Sequence, residues 1–268
     1  QLCNQIRIQG FWLLSYYSWN CIACNSLFHP SSDYYLMTAE DFLNGQVLLI
    51  DKPLHFTSFQ AVNKLKYALI NKAGLPKKFK IGHAGTLDPL ASGLLLVCTG
   101  KFTKRISELQ GQAKEYTGTF YIGATTPSYD LETEIDQTFP TDHIDGTLIH
   151  ETVKQFLGEI DQIPPVFSAI KKDGVRLYEH ARAGETVEIA SRKTTIHEFE
   201  ITRIAFPEID FRVVCSKGTY IRSLAFDFGK AMNSGSHLTV LRRTKIGDYN
   251  VEDAIDVNLF EQTLIQKK

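Results

Sequence analysis

Apolar positions along the chain follow two periods. QVLLI (46–50) and LLLVC (94–98) are short continuous runs, the pattern of strands buried on both faces. Lys114–Gly123 alternates instead, with Tyr116, Phe120 and Ile122 on one face and Thr117, Thr119 and Tyr121 on the other. Phe59, Val62, Leu65 and Leu69 recur at helical spacing and predict a helix that ends near Gly74. Thr57-Ser-Phe-Gln60 before it has the spacing of a capping box, in which the Thr and Gln side chains each satisfy a free backbone N–H. Further helices are predicted over 150–158, before the Pro164-Pro165 break, and over 175–183. Strands are predicted near 185–190, 195–205 and 209–215, then a helix from Gly218 to about Met232 and a strand over 237–247.

Strands and helices mix without regular βαβ alternation, and hairpin-like pairs are common. The expected class is α+β, a mixed and mostly antiparallel sheet flanked by helices. No repeat, low-complexity tract or Pro/Gly/Ser-rich linker interrupts the chain after residue 40, so 37–268 reads as one domain. Residues 1–36 stand apart. They begin with Gln1, contain no acid before Asp33 and precede the first methionine, Met37. GFWLLSYYSW is apolar, but no small-residue cleavage site follows, so it makes a poor signal peptide. The segment is read as a poorly ordered or non-native extension. Cys21-x-x-Cys24 has only Cys3 nearby as a third ligand, too few for a metal site.

Composition narrows the class further. The 268 residues are 43% hydrophobic, 22% charged and 11% aromatic, which excludes disorder and coiled coil as the main architecture. No apolar run reaches membrane-spanning length. Five scattered cysteines argue against a disulfide framework and for a reducing, cytoplasmic setting; Cys98 and Cys215 sit in apolar runs and read as buried. The net charge of −1 excludes a uniformly basic coat, so any nucleic-acid binding must come from a local patch.

Such a patch is visible. From Lys52 to Ser107 there is a single acid, Asp88, among ten lysines and arginines that include Lys64, Lys66, Lys77, Lys78 and Lys80. A concentrated positive surface attracts phosphates; it is equally readable as a solvated lysine-rich helix and loop. Asp88 lies in GHAGTLDPLASG (82–93), where glycines admit unusual backbone angles and close ligand approach. An aspartate before proline is commonly a turn residue. Its isolation among cations makes it a candidate nucleophile. His83, in the same loop, is either a structural hydrogen-bonding residue or part of the site.

KGTYIR (217–222) joins a strand end to a helix start, where backbone N–H groups favour anions. Arg222 there could pair with a carboxylate or phosphate, or simply be a surface residue of the first turn. Tyr116 and Leu241 read by themselves as core. The chain has no phosphate-loop, nucleophile-elbow, zinc-helix or dinucleotide fingerprint, and no metal or organic cofactor is expected.

At these residues the chain resembles the TruB family of tRNA pseudouridine synthases. The matching blocks are LLIDKP (48–53), GHAGTLDPLASGLLLVCTG (82–100), KEYTG (114–118), IPPVFSAIKKDGVRLYEHARAG (163–184), CSKGTYIRSLAFDFG (215–229) and HLTVLRRTKIG (237–247), in the family's order. The resemblance implies the pseudouridine synthase fold and isomerisation of tRNA uridine 55, in the T loop, to pseudouridine without a cofactor. It implies Asp88 as catalytic aspartate, acting at ribose C1′ or uracil C6 or through a glycal route. It implies Tyr116 against the flipped base, as a stacking surface and as a candidate for proton removal from C5, and Arg222 as the partner of the aspartate. His83, Tyr220 and Leu241 would contact substrate, and Lys52 would support the site.

The chain departs from the family in two places. Where members commonly carry T-D-T-x-D-x-x-G, this chain reads Thr126-Pro-Ser-Tyr-Asp130-Leu-Glu-Thr133, with Pro127 for an acid and Thr133 for a glycine. The sequence after Ile246 is too short for a C-terminal PUA domain, so the chain reads as a short form or a truncated one. That favours the stand-alone bacterial type, a monomer with the tRNA T-arm as partner and no obligatory protein or membrane partner. The competing expectations are a non-catalytic RNA-binding or tRNA-folding module on the same scaffold, and a glycosidase, which would need paired catalytic acids.

Overall fold

The computed structural model describes residues 37–168, 171–172, 175–177, 179 and 188–264. The cysteines at 3, 21 and 24, residues 185–187 and most of the helix expected over 175–183 lie outside that range. Helix α1 (Ala39–Asn44) opens the described chain on a Thr38/Asp41 capping box, and strand β1 (Val47–Lys52) and helix α2 (Ser58–Lys72) follow. The Thr57/Gln60 box forms as its spacing requires: Gln60 N donates to Thr57 Oγ1 at 3.0 Å and Thr57 N to Gln60 Oε1 at 2.8 Å. Next come β2 (Ile81–His83), β3 (Ala91–Thr99), α3 (Ile106–Gly111) and β4 (Lys114–Ile122). A small hairpin of β5 (Ala124–Thr125) and β6 (Gln137–Thr138) precedes α4 (Gly146–Gln155) and β7 (Gly158–Gln162). The pair β8 (Lys171–Lys172) and β9 (Val175–Arg176) leads to β10 (Arg192–Ala205), β11 (Glu208–Cys215) and α5 (Ile221–Ala231). Strands β12 (Ser236–Ile246), β13 (Tyr249–Asn250) and β14 (Ile255–Asp256) complete the described elements.

One large sheet runs β14–β1–β3–β12–β4–β11–β10–β7, with β2 flanking β3 and β13 flanking β12. Among the described residues only β14 on β1 and β12 on β3 pair in parallel, so the expected mixed, mostly antiparallel α+β architecture is the one observed. The β3–β12 seam is short: Leu241 pairs with Ala91, Arg242 with Ser92 and Arg243 with Gly93. Gly93 makes that approach possible. Its φ is +102°, and a Cβ there would lie 2.3 Å from the Arg243 carbonyl oxygen.

Three apolar clusters hold the sheet. Phe120, Phe211 and Phe228 meet between β4, β11 and α5, with the Phe120 and Phe211 rings stacked at 4.1 Å. Leu65 and Leu69 of α2 pack with Ile50 and Leu95. Alternation turns Leu49, Leu94 and Leu96 to the opposite face, against Leu109 and Ile246. Cys98 and Cys215 are buried as expected.

The structure corrects four expectations. Phe59 is 70% exposed, because the buried stripe of α2 is Ala61, Val62, Leu65, Ala68 and Leu69, and Phe59 lies well off its centre. The helix predicted over 150–158 begins at Gly146, where Asp145 accepts from Leu148 N, and gives way to β7 at Gly158. Val175–Arg176 form a strand, closed on Lys171–Lys172 rather than into a helix. Residues 188–190 are not strand; the sheet is entered at Arg192 by pairing with Gln162.

Candidate active site

Asp88 sits in the turn between β2 and β3, at the head of the β3–β12 seam. Contacts from four residues fix that turn. Buried Ser58, at the start of α2, donates to Leu87 O at 3.0 Å and accepts from Leu87 N at 2.8 Å. Ala91 N donates to Asp88 O at 3.1 Å, and His55 N to Pro89 O at 2.7 Å. The last is Arg243, whose guanidinium is almost entirely buried. It donates to Leu94 O (2.8 Å), Gly85 O (3.1 Å) and Thr86 O (3.4 Å). A planar fork can bridge three carbonyls in this way, which a lysine cannot match.

Arg222 is the second residue of α5 and is buried, so it is not the surface residue of a first helical turn. Its Nη2 lies 2.9 Å from Asp88 Oδ2 and 3.0 Å from the Phe167 carbonyl; Nη1 donates to Ser128 O at 3.3 Å. Nε faces a second carboxylate, Asp130 Oδ2, at 3.5 Å. Burial pushes the Asp130 carboxyl up, and the Arg222 charge pulls it back. One guanidinium thus joins an inner carboxylate, 7% exposed, to an outer one, 43% exposed.

The outer carboxylate opens on a cleft of about 280 Å³. Asp88, Arg222, Leu241 and Asp130 line it, with apolar Leu131 and Val240 at its rim. A register shift of β12 against β4 between Leu238 and Val240 turns Val240 outward there.

The other expected site residues lie around this cleft, not in its lining. Tyr116 pairs across β4 and β12 with Arg243; burial pushes its phenol up, and the Arg243 charge opposes. Tyr220 caps α5, its backbone held by Gln162, which accepts from Tyr220 N at 2.7 Å and donates to Tyr220 O at 3.0 Å. Burial raises the Tyr220 phenol too, and both tyrosines feel the Asp88 charge. His83, on β2, keeps Nδ1 buried without a hydrogen-bond partner, and burial pulls its imidazole down.

Lys52 has no exposed surface. It underlies the site, with Nζ donating to Pro53 O at 2.9 Å and Phe56 O at 2.7 Å. Burial pulls its ammonium down to about 8, with the nearby Asp88 charge opposing. This lysine therefore does not belong to the basic surface. Lys77, Lys78, Lys80, Lys101 and Lys104 are exposed and do. Sequence reasoning missed Arg243, Gln162 and Ser58. Arg243 was visible only as charge in LRRTK, and nothing local distinguishes it from half-buried Arg242, which pairs with Asp51 at 2.7 Å.

The family described as TruB family pseudouridylate synthase (N terminal domain) matches residues 72–221. Over 228 residues the chain is 87% identical to the tRNA pseudouridine synthase B of Flavobacterium johnsoniae, covering 85% of this chain and 100% of that protein. The protein of the same name from Phocaeicola vulgatus is 55% identical over 228 residues, covering 85% and 97%. Among solved structures, a chain of a Cbf5–Nop10–Gar1 complex superimposes with a TM-score of 0.62 at 28% identity, over 85% of this chain and 57% of that one. A chain of an H/ACA RNP bound to a substrate RNA containing 2′-deoxyuridine gives 0.60 at 25% identity, over 91% and 66%. The chain therefore spans well under the full length of these solved chains.

Proposed function

The chain belongs to the TruB family of pseudouridylate synthases, and from that premise we propose that it isomerises the T-loop uridine of tRNA, position 55, to pseudouridine, with Asp88 as nucleophile. The curated relatives are tRNA pseudouridine synthases, and the same reaction class is this chain's. The reaction breaks the bond from N1 to C1′, turns the base over, joins C5 to C1′ and moves the C5 proton; atoms balance without an oxidant or reductant.

The observation that carries this reading is the Asp88–Arg222 pair at 2.9 Å, with the carboxylate open to the cleft and the guanidinium buried behind it. A carboxylate held in one orientation meets the sugar–base bond without a search over rotamers. Reaching it requires the uridine to leave its stack, which costs a few kcal/mol. Tyr116 would stack on the extruded base, as the resemblance implies; burial pushes its phenol up, which speaks for stacking rather than proton removal from C5. Leu241 lines the cleft, and His83 and Tyr220 would contact substrate as the family resemblance implies. The exposed lysines of 77–104 would track tRNA phosphates, fixing position more than sequence. Residues 37–268 constitute the catalytic unit, acting as a monomer in the cytoplasm.

An unmodified tRNA transcript and its isolated T-arm hairpin, incubated with wild type or Asp88→Asn and mapped by carbodiimide-blocked primer extension, test this. A wild-type stop at the T-loop uridine, absent with Asp88→Asn while tRNA binding stays within several-fold, supports it. Full turnover by Asp88→Asn overturns the nucleophile assignment. Salt-sensitive tRNA binding by folded wild type without any stop would instead favour an RNA-binding module.

A further inference from the structure

The loop over 126–133, where this chain departs from its family's pattern, faces a geometric demand. Its backbone must turn the Asp130 side chain inward onto buried Arg222 while Leu131 points out to the cleft rim. Tyr129 makes the turn with a left-handed φ of +63°, costly for a residue with a Cβ. Its ring stacks on Phe226 of α5, with centroids 4.2 Å apart.

Hydroxyl groups close the rest. Asp130 O accepts from Thr126 Oγ1 at 2.7 Å and from Ser128 Oγ at 3.1 Å. Thr133 N donates to Ser128 Oγ at 3.2 Å, Ser128 N donates to Thr133 Oγ1 at 3.0 Å, and the two hydroxyls lie 2.9 Å apart. A serine hydroxyl has one proton, and here it goes to Asp130 O. The proton between the two hydroxyls is therefore Thr133's, and the chain of donation runs Thr133 to Ser128 to Asp130. Ser128 is also the residue whose carbonyl accepts from Arg222 Nη1. A glycine at 133 would supply none of the hydroxyl bonds.

We propose that Thr133, acting through Ser128, is a positioning residue for the isomerisation: the Ser128–Thr133 clasp sets Asp130 against Arg222 and thereby fixes the guanidinium that orients Asp88. The inference rests on the Asp88–Arg222 reading above and extends it to two residues outside the cleft. Pro127 suits the clasp, since it has no N–H to satisfy and a preset φ.

The test compares Thr133→Val, Thr133→Ser and Asp130→Asn by single-turnover isomerisation of tRNA, with KM and thermal melting measured alongside. Thr133→Val keeps the shape and removes the hydroxyl. Its kcat is expected to fall about five- to tenfold, as two lost hydrogen bonds are expressed only in part in a rate they affect through Asp130 and Arg222, with KM within about twofold. Thr133→Ser should return kcat to within about twofold, and Thr133→Val should add nothing on an Asp130→Asn background. Wild-type kcat for Thr133→Val beside a slow Asp130→Asn overturns the clasp alone. Wild-type kcat for Asp130→Asn overturns the Asp130–Arg222 link beneath it. Should Thr133→Val fail to fold, Ser128→Ala carries the same prediction, read together with faster amide exchange over 126–133.

Discussion

Arg222 and Asp88 meet at 2.9 Å, yet they inhabit different surroundings: the guanidinium is 6% exposed and the carboxylate 43%. The buried member is tied on its other edges to Asp130, Ser128 O and Phe167 O, so it cannot swing out to follow its partner. The consequence is a carboxylate that faces solvent from a fixed mount.

Arg222→Lys retains the charge but loses the fork that reaches both carboxylates and two carbonyls. Isomerisation is expected to slow by on the order of 10²-fold, as breaking a buried pair costs about 3 kcal/mol. Single-turnover pseudouridine mapping reads the rate, and a variant within a few-fold of wild type would show that the geometry of the pair is dispensable.

Lys52 gives a stability signature in pH. Its folded-state value, about 8, lies below the ordinary 10.5 because burial disfavours the charge. Between those values the unfolded chain binds more protons, so stability from this group rises with pH across that window. The melting temperature of wild type minus that of Lys52→Met should therefore grow from pH 8 to 10. Lys114, also lowered to about 8, is common to both proteins and cancels. A flat difference would mean that Lys52 titrates as an exposed lysine.

Arg243→Met should unfold more easily, because Leu94, Gly85 and Thr86 each lose a donor. At about 1 kcal/mol or more for each buried carbonyl left unpaired, the loss is about 3 kcal/mol. Urea titration measures it, and a change below about 1 kcal/mol, the scale of a single such bond, would mean that water replaces the guanidinium.

Gly93→Ala is expected to be worse than an ordinary core substitution. The new methyl would fall 2.3 Å from the Arg243 carbonyl at a φ of +102°. Separation of β3 from β12 should follow, with a melting temperature lowered by at least about 10 °C, or no folded protein. Calorimetry decides between a mild and a severe effect.

A chain starting at Met37 is expected to isomerise tRNA at the full-length rate. Every site residue and all three apolar clusters lie within 37–264. A large loss of activity would assign residues 1–36 a role in binding or folding.

Features decided within a few residues were legible in the sequence. The Thr57/Gln60 box, the strand at 47–52, the alternation of 114–122 and the helix after Gly218 depend on near neighbours, and each appears close to where its pattern placed it. The Asp88–Arg222 pairing implied by the motif blocks is also observed, whereas Tyr116, Tyr220, His83 and Lys52 do not line the cleft. What failed locally did so for a physical reason. Phe59 has the right residue type one helical step off the buried stripe, and the β7 sequence GEIDQ becomes a strand through pairing with β10.

Only tertiary structure decided which charges are inside. Lys52, Arg222 and Arg243 are indistinguishable by type from their exposed neighbours, and burial separates them because strands distant in sequence close over them. It also decided that the Thr133 hydroxyl meets that of Ser128, a contact made across a turn. The sequence by itself determined the local elements and the chemical groups available. The long-range pairing of β3, β12 and β4 determined which of those groups share a cleft, because charge burial and orientation depend on contacts made across more than a hundred residues.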